Sequence, residues 1–151
     1  MKYLVIVFLM VLPLIGCGTL ENENKQPGEE KTMKSALVVN GSFEVNSQEW
    51  SMRLQNKSGE SSLIEFTSAQ EIEVIIKKAE ETVYRYSDEK MFSQALKSLT
   101  LEKEETRKWS ESLSQKLESG SYTITYEVLA NKINGSLPTT AITDSETFTI
   151  P

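Results

Sequence analysis

The sequence has no histidine and only one cysteine, Cys17, among its 151 residues. Without histidine, mechanisms that need an imidazole base or ligand are excluded, including Ser-His-Asp and Cys-His catalysis and His-ligated zinc sites. A single cysteine excludes an internal disulfide, a CxxC redox pair and a Cys-rich metal site. The sequence also contains no phosphate-binding glycine loop and no cluster of metal ligands. We therefore expect no cofactor and no metal, and we expect binding functions ahead of catalysis.

Positive charge is scarce as well: 16 Lys and Arg face 22 Asp and Glu, for a net charge of −6. Binding to a phosphate backbone needs clustered basic residues, so we expect no nucleic-acid partner. The best carboxylate pairs for catalysis are Glu71 with Glu73 and Glu104 with Glu105. The pattern places the first pair on the solvent side of a strand and the second in a turn. We therefore predict that the protein is not an enzyme.

The first sixteen residues have the features of an export signal. Lys2 provides a positive charge, and an apolar run of thirteen residues, YLVIVFLMVLPLI, extends from Tyr3 to Ile15. A membrane-spanning helix needs roughly 20 apolar residues, so this run is too short to span a bilayer but has the length of a signal-peptide core. Residues 1–16 are therefore predicted to be a signal peptide.

The cysteine follows this run directly, in the sequence Leu14-Ile15-Gly16-Cys17. These residues resemble the lipobox of bacterial lipoproteins, in which the cysteine thiol is acylated and a peptidase cuts just before it. The resemblance implies cleavage between Gly16 and Cys17, a lipid anchor on Cys17, and a position on the extracytoplasmic face of the cell membrane. Two acyl chains hold a protein stably on a bilayer. An ordinary secretory peptide followed by an incidental cysteine is the alternative.

Residues 17–34 are polar, mixed in charge and interrupted by Pro27-Gly28. They offer too little apolar surface to bury, so we predict a disordered tether behind the lipidated N-terminus. Residues 35–151 are then long enough for one domain with its own core.

Within this domain, short bursts of alternating apolar residues are separated by turn residues, a pattern typical of β-strands. Strands are predicted near residues 37–45, 50–55, 63–66, 71–76, 82–86, 120–128 and 147–150. We expect the first to be interrupted near Asn40-Gly41. Asn40, Asn56 and Asn134 each begin an Asn-x-Ser sequon and are interpreted as turn residues rather than glycosylation sites. Seven or eight such strands predict an all-β, immunoglobulin-like antiparallel β-sandwich.

Residues 101–117 give conflicting indications. Trp109, Leu113 and Leu117 recur at every fourth position, which is typical of an amphipathic helix. Trp109 and Leu113 would equally share one face of a strand, and the surrounding β pattern favours this second interpretation. Just beyond, Gly120-x-Tyr122 resembles the entry to an immunoglobulin-like strand, where a corner tyrosine bonds back to the backbone. A tyrosine on an ordinary surface strand is the alternative.

Residues 83–96 read VYRYSDEKMFSQAL. This stretch is similar to V-W-R-W-S-x-x-K-x-F-x-Q-A/M-L, the pattern of the bacterial intracellular proteinase inhibitor family, the BsuPI type, and the resemblance extends over about residues 36–128. Shorter stretches at residues 56–60, 66–70 and 100–101 also match, as does the Gly120-x-Tyr122 sequence. Tyr84 and Tyr86 stand where the family has tryptophan. The family's Pro-Gly is missing at residues 102–105, so that turn can have another geometry.

The resemblance implies an immunoglobulin-like domain that binds and inhibits a serine protease of the subtilisin type, and we expect a monomer. Seven residues match the family motifs, and we expect them to be structural rather than inhibitory: Tyr84, Tyr86, Ser87, Phe92, Gln94, Gly120 and Tyr122. Because the chain carries an export signal, the protease would lie outside the cytoplasm.

A substrate-like inhibitor presents an exposed, extended loop that loses little entropy on binding. The best candidate is the segment Asn131–Ser145, with Leu137, Pro138 and Thr139 as the inhibitory residues, because a residue before proline is biased towards extended geometry. A hairpin connection without a partner is the alternative for this segment. For the whole protein, the alternative to inhibition is an adhesion or assembly module of the cell envelope, which would use an edge strand or loop.

Overall fold

The structure is a computed structural model that describes residues 36–151. The predicted signal peptide, the lipidation site Cys17 and the tether lie outside this range. Residues 36–151 form ten strands: β1 (Leu37–Glu44), β2 (Glu49–Asn56), β3 (Ser62–Phe66), β4 (Ile72–Lys78), β5 (Glu81–Arg85), β6 (Lys97–Leu101), β7 (Thr106–Ser112), β8 (Gly120–Val128), β9 (Lys132–Ile133) and β10 (Ile142–Ile150). A 3₁₀ turn, Tyr86–Glu89, follows β5. Over the described range there is no α-helix, and so no helix that could cross a membrane.

The strands form three antiparallel sheets, which confirms the all-β antiparallel prediction. The first sheet has the order β1-β2-β7, the second β10-β8-β4-β5, and the third β6-β3-β9. The longest pairing joins β8 to β10, from Gly120 opposite Ile150 to Val128 opposite Ile142. Long-range pairings of this kind bring residues far apart in sequence to neighbouring strands.

Residues of all three sheets share one apolar core. Alternate residues are buried along β8, from Tyr122 to Val128, and along β2, from Trp50 to Leu54, as the period-two pattern requires. The third sheet adds Ile64. Removal of each large apolar side chain from water contributes about 1.5–3 kcal/mol towards folding.

Strand β1 is continuous, so the predicted interruption near Asn40-Gly41 is wrong. Gly41 allows β1 to cross the ring of Tyr126 at very close range, because a Cβ at this position would lie 2.0 Å from Cε2 of that ring. The Gly41 N–H donates to Oδ2 of Asp144 over 2.8 Å. Glycine here serves close packing rather than a turn. Asn40 is accordingly an exposed strand residue, whereas Asn134 does lie in a turn, with φ of 51°.

Residues 106–112 form strand β7, so the strand interpretation of this region is confirmed and the helix alternative is wrong. Trp109 is partly buried against the core, opposite Met52 of β2. The patterns did not reveal β6 and β9, and β10 begins five residues earlier than predicted. The last point shortens the candidate loop, because residues 142–145 belong to a strand.

Tyr122 bonds back to the backbone, as its sequence context predicts. Its buried side chain donates a hydrogen bond from the hydroxyl to the Glu118 carbonyl oxygen over 2.7 Å. Gly120 begins the strand with φ of 149°, a value that residues with a Cβ rarely adopt. A Cβ there would also lie 2.8 Å from Cε of Lys78. The glycine and the tyrosine therefore fix the entry of the chain into β8.

Candidate functional site

Between the 3₁₀ turn and β6, the chain crosses the surface in a seven-residue stretch, Lys90–Leu96, which we call the 90–96 segment. Its backbone starts extended, with φ of −135° and ψ of 153° at Lys90. The Met91 side chain is fully exposed, at 100% of its accessible area, and Leu96 is 84% exposed. Lys90 and Phe92, on either side of Met91, are only partly exposed. The segment thus presents a methionine to solvent between two residues that face the protein.

Side chains of the 90–96 segment attach its first half to the domain. Nζ of Lys90 lies 2.7 Å from Oε2 of Glu111 on β7 and 4.8 Å from the ring centroid of Tyr86. The Phe92 ring packs against the same Tyr86 ring, with centroids 5.9 Å apart. Tyr86 in turn meets the buried Trp50 ring edge-on, at 5.5 Å. These contacts connect the exposed segment to the core.

A backbone hydrogen bond fixes the centre of the segment. The Ala69 N–H donates to the Ser93 carbonyl oxygen over 2.9 Å. Ala69 belongs to residues 67–71, which join β3 to β4. The segment is therefore held on both sides of Met91, by Lys90 before it and by Phe92 and Ser93 after it.

The turn that precedes the segment is organised by Glu73 of β4. Oε1 of its carboxylate accepts hydrogen bonds from the N–H groups of Val74 and Ser87, each over 3.1 Å, and Oε2 accepts one from Gln70 Nε2 over 3.2 Å. Arg85 NH1 lies 3.9 Å from Oε2. A buried carboxylate requires such partners, because an unpaired charge away from water is very unfavourable. Glu73 thus holds the 3₁₀ turn against β4.

Glu71, two residues before Glu73, is also a buried carboxylate. Its Oε2 accepts a hydrogen bond from Nε1 of Trp109 over 2.9 Å, and Lys97 Nζ lies 2.9 Å from Oε1. Arg107 adds a more distant cation at 3.9 Å. The prediction that Glu71 and Glu73 lie on the solvent side of a strand is therefore wrong. Both are buried because basic and N–H groups from β5, β6, β7 and the 3₁₀ turn surround this end of β4. The hydrogen bonds and ion pairs of these two carboxylates connect neighbouring strands, so both glutamates have a structural role.

Two tyrosines have altered acidity: Tyr86, which lies near Glu71 and Glu73, and Tyr126, which bonds to Glu146 on β10. Burial raises the pKa of the Tyr86 phenol, and the nearby Lys90 cation opposes that rise. Burial raises the pKa of Tyr126 well above its usual range, with the Glu146 carboxylate adding to the effect by its charge and by a 3.0 Å hydrogen bond. Both hydroxyls stay protonated at physiological pH.

The loop that the sequence favoured as inhibitory lies between β8 and β10. Its first half is attached to β3: the Asn131 N–H donates to the Glu65 carbonyl, and Asn134 exchanges two hydrogen bonds of 2.8 Å with the Leu63 backbone. Leu137 is 71% exposed. Pro138 lines a shallow cleft of about 280 Å³ together with Thr67. Residues 67–71 therefore bond to the 90–96 segment through Ala69 and line a cleft together with Pro138.

Four of the seven family-motif residues come together in the structure, namely Tyr84, Tyr86, Ser87 and Phe92, around the start of the 90–96 segment. Gln94 lies in the segment itself and is exposed. Gly120 and Tyr122 lie elsewhere, beside Lys78 at the far end of β4. Within residues 36–151 no group of three or more acidic, histidine or cysteine side chains could hold a metal ion.

Sequence reasoning missed Met91 and Leu96 as surface features. Met91 lies between Lys90 and Phe92, which match the family pattern, whereas Met91 itself occupies a position where that pattern specifies no residue. An apolar residue out of phase with residues that face the protein should face solvent. That alternation could have identified Met91.

The family model of the intracellular proteinase inhibitor BsuPI matches residues 37–133, which is more than half of the chain. The protein belongs to this family. No curated protein matches the chain. BsuPI domains form a proteinase-inhibitor family, so the expected partner is a proteinase and the protein is not an enzyme. The matched region includes the 90–96 segment and ends before Leu137.

Proposed function

We propose that this BsuPI protein is a lipid-anchored inhibitor that binds a serine proteinase, of the subtilisin type, on the extracytoplasmic face of the cell membrane. The observation that carries the inhibitory part is the family match over residues 37–133. The anchoring part rests on the sequence Leu14-Ile15-Gly16-Cys17 behind a short apolar run. Together they describe a monomeric inhibitor on a tether, which meets its proteinase outside the cytoplasm.

We also infer that the domain is an immunoglobulin-like β-sandwich. Two features support this finer description. The Trp50 indole of the first sheet bonds to the Tyr84 hydroxyl of the second, so their inner faces meet in one core. The Tyr122 hydroxyl bonds back to the Glu118 carbonyl, as in the tyrosine corner of such domains.

The geometry favours inhibition by a rigid surface segment. Association with a partner costs less when the contacting loop is already held in its bound shape. Both exposed segments have hydrogen bonds to β3 or to the residues that follow it: residues 131–134 bond to β3, and Ser93 bonds to Ala69. Leu137, Pro138 and Thr139 follow the first of these attachments and remain a candidate for the contact.

The test is a titration of the purified full-length chain against subtilisin-type serine proteinases, with residual peptidase activity as the readout. Stoichiometric loss of activity supports inhibition. Persistence of full activity in the presence of excess folded protein overturns it. The triple change Leu137→Gly, Pro138→Ser and Thr139→Gly then shows whether that loop contributes, because it removes both the exposed leucine and the proline restraint.

One feature favours a second candidate function, an assembly module of the cell envelope. Strand β5 forms an edge of its four-stranded sheet, and its Val83 is 39% exposed. A cleft of about 550 Å³ lies beside this edge and is lined also by Leu113 and Leu117. An extended peptide could add to such an edge through backbone hydrogen bonds. Cross-linking from Val83→Cys in cells would trap an envelope partner if this function holds, and the proteinase titration would then show no inhibition.

A further inference from the structure

We propose that the 90–96 segment is the part of the protein that enters the proteinase cleft, with Met91 in the primary specificity pocket. The partner is then a serine proteinase whose pocket is an apolar slot. This inference rests on the proposed inhibitory function and names the residue that carries it.

The presentation of Met91 is the first argument. The backbone is extended where it enters the segment, which is the form in which a chain lies along a protease cleft. Met91 is fully exposed, while Lys90 is held by Glu111 and Phe92 packs on Tyr86. The backbone that carries Met91 is thus held on both sides by the neighbouring residues, so the segment need not be ordered when it binds. Pre-organisation lowers the entropic cost of binding.

The way in which the segment is supported is the second argument. The Ser93 carbonyl is held by Ala69, and the Ser87 N–H by the buried Glu73 carboxylate, so attachments lie on both sides of Met91. A cut or flexible loop would be a substrate, whereas a loop fixed at both sides resists the movement that cleavage requires. The Lys90–Glu111 contact of 2.7 Å also ties the segment to β7.

The chemistry of Met91 selects the kind of pocket. Methionine is unbranched, polarizable and uncharged, so it fills an apolar slot such as that of chymotrypsin. It has no charge for the acidic pocket of trypsin. Leu96, 84% exposed, provides a second apolar contact five residues further along.

The position of the segment relative to the family match is the third argument. Residues 90–96 lie inside the matched range 37–133, and Leu137 lies outside it. Pro138, the residue after Leu137, is only partly exposed and lines a cleft together with Thr67. If inhibition is a property of the matched domain, the 90–96 segment can carry it, because this segment lies inside the match.

The experiment uses the full chain and three proteinases: subtilisin and chymotrypsin for apolar pockets, and trypsin for an acidic one. Inhibition constants are measured for the wild type, Met91→Glu, Met91→Lys, Leu137→Glu and the matched control Leu63→Glu. Leu137→Glu tests the loop between β8 and β10, whereas Leu63 is an exposed leucine on β3 outside both candidate sites. Because a buried anchor residue usually dominates an interface, Met91→Glu should weaken inhibition at least about thirtyfold. Met91→Lys should lose inhibition of the apolar-pocket enzymes and gain inhibition of trypsin. Leu63→Glu should stay within about threefold of the wild type.

The outcomes separate the site from the function. If the wild type inhibits and the Met91 variants inhibit equally well, the site is wrong and the inhibitory function stands. If Leu137→Glu alone abolishes inhibition, the contact lies in the loop between β8 and β10 instead. If the wild type inhibits no serine proteinase, both the site and the function are overturned. Met91 is fully exposed, so these variants should fold normally, and circular dichroism of each provides the check.

Discussion

The indole Nε1 of Trp50 donates a hydrogen bond to the Tyr84 hydroxyl over 3.1 Å, between two buried side chains on different sheets. Trp50 lies on β2 and Tyr84 on β5. The same indole meets the Tyr86 ring edge-on at 5.5 Å. One tryptophan thus connects the first sheet to the strand and turn that lead into the 90–96 segment.

Removal of the Tyr84 hydroxyl should therefore destabilise the domain. Tyr84→Phe leaves the buried Trp50 N–H without this acceptor, which costs about 1–3 kcal/mol in the free energy of unfolding. Urea denaturation followed by tryptophan fluorescence measures the change. Tyr86→Phe is the matched control, because it keeps the ring contacts with Trp50, and it should stay within about 0.5 kcal/mol of the wild type. Equal stability of Tyr84→Phe and the wild type would show that this bond does not stabilise the fold.

The Glu73 carboxylate should control how firmly the 3₁₀ turn is held. In Glu73→Gln a single oxygen replaces the two that accept hydrogen bonds from Val74, Ser87 and Gln70. At least one buried donor loses its partner, at a cost of about 1–3 kcal/mol in the free energy of unfolding. The Ser87 amide should then exchange with deuterium faster than in the wild type, while Glu81→Gln, at an exposed position on β5, should leave exchange unchanged. Unaltered exchange in Glu73→Gln would contradict this role.

Gly41 and Gly59 provide a pair of glycine positions with opposite surroundings. A Cβ on Gly41 would lie 2.0 Å from Cε2 of Tyr126, whereas a Cβ on Gly59 meets no atom within 4 Å. Gly41→Ala must push the buried tyrosine or the strand aside, so we expect a loss of about 1–3 kcal/mol or more. Gly59→Ala should lie within about 0.5 kcal/mol of the wild type. Thermal unfolding of both variants measures this, and a small loss for Gly41→Ala would mean that β1 can move away from Tyr126.

The strands of this domain could largely be predicted from the sequence, because most of them alternate cleanly. In β8, Tyr122, Ile124 and Tyr126 are buried at every second position. In β6 and β9 this regularity is missing: β9 has only two residues, and Leu101 is the single buried residue of β6. These two strands form because each pairs with β3, which lies far from both in the sequence. Local sequence patterns do not reveal such pairing.

The candidate site could be predicted from the sequence less completely than the strands. Family patterns identified Tyr84, Tyr86 and Phe92, but the alternation around Glu71 and Glu73 predicted exposure. Their burial depends on Trp109, Lys97 and Ser87, which come from three other parts of the chain. No local pattern contains that information. The exposure of Met91, by contrast, follows from its place between two anchored neighbours.

Stability should fall at alkaline pH because of Tyr126. Burial and Glu146 raise its folded-state pKa far above the unfolded value of about 10. The stabilising contribution is therefore complete below pH 10 and is lost as the pH rises further, because only the unfolded chain ionises there. We expect the free energy of unfolding to decrease by up to about 1.4 kcal/mol per pH unit from this residue. Denaturation curves from pH 8 to 11.5 measure the slope.

Tyr126→Phe provides the comparison for that slope, because it removes the ionisable group and keeps the ring beside Gly41. The variant should be less stable than the wild type by a constant amount below pH 9, where neither form ionises. Above pH 10 its stability should decline less steeply, so the two curves converge. Curves that remain parallel up to pH 11.5 would show that Tyr126 does not cause the alkaline loss.

Acylation of the protein should depend on Cys17 alone. The chain has no other cysteine to acylate, so Cys17→Ala should abolish incorporation of labelled palmitate and the removal of residues 1–16 that follows it. The control Thr19→Ala changes a neighbouring residue of the tether and should leave both unchanged. If Cys17→Ala still incorporated labelled palmitate at the wild-type level, the lipoprotein interpretation would be wrong.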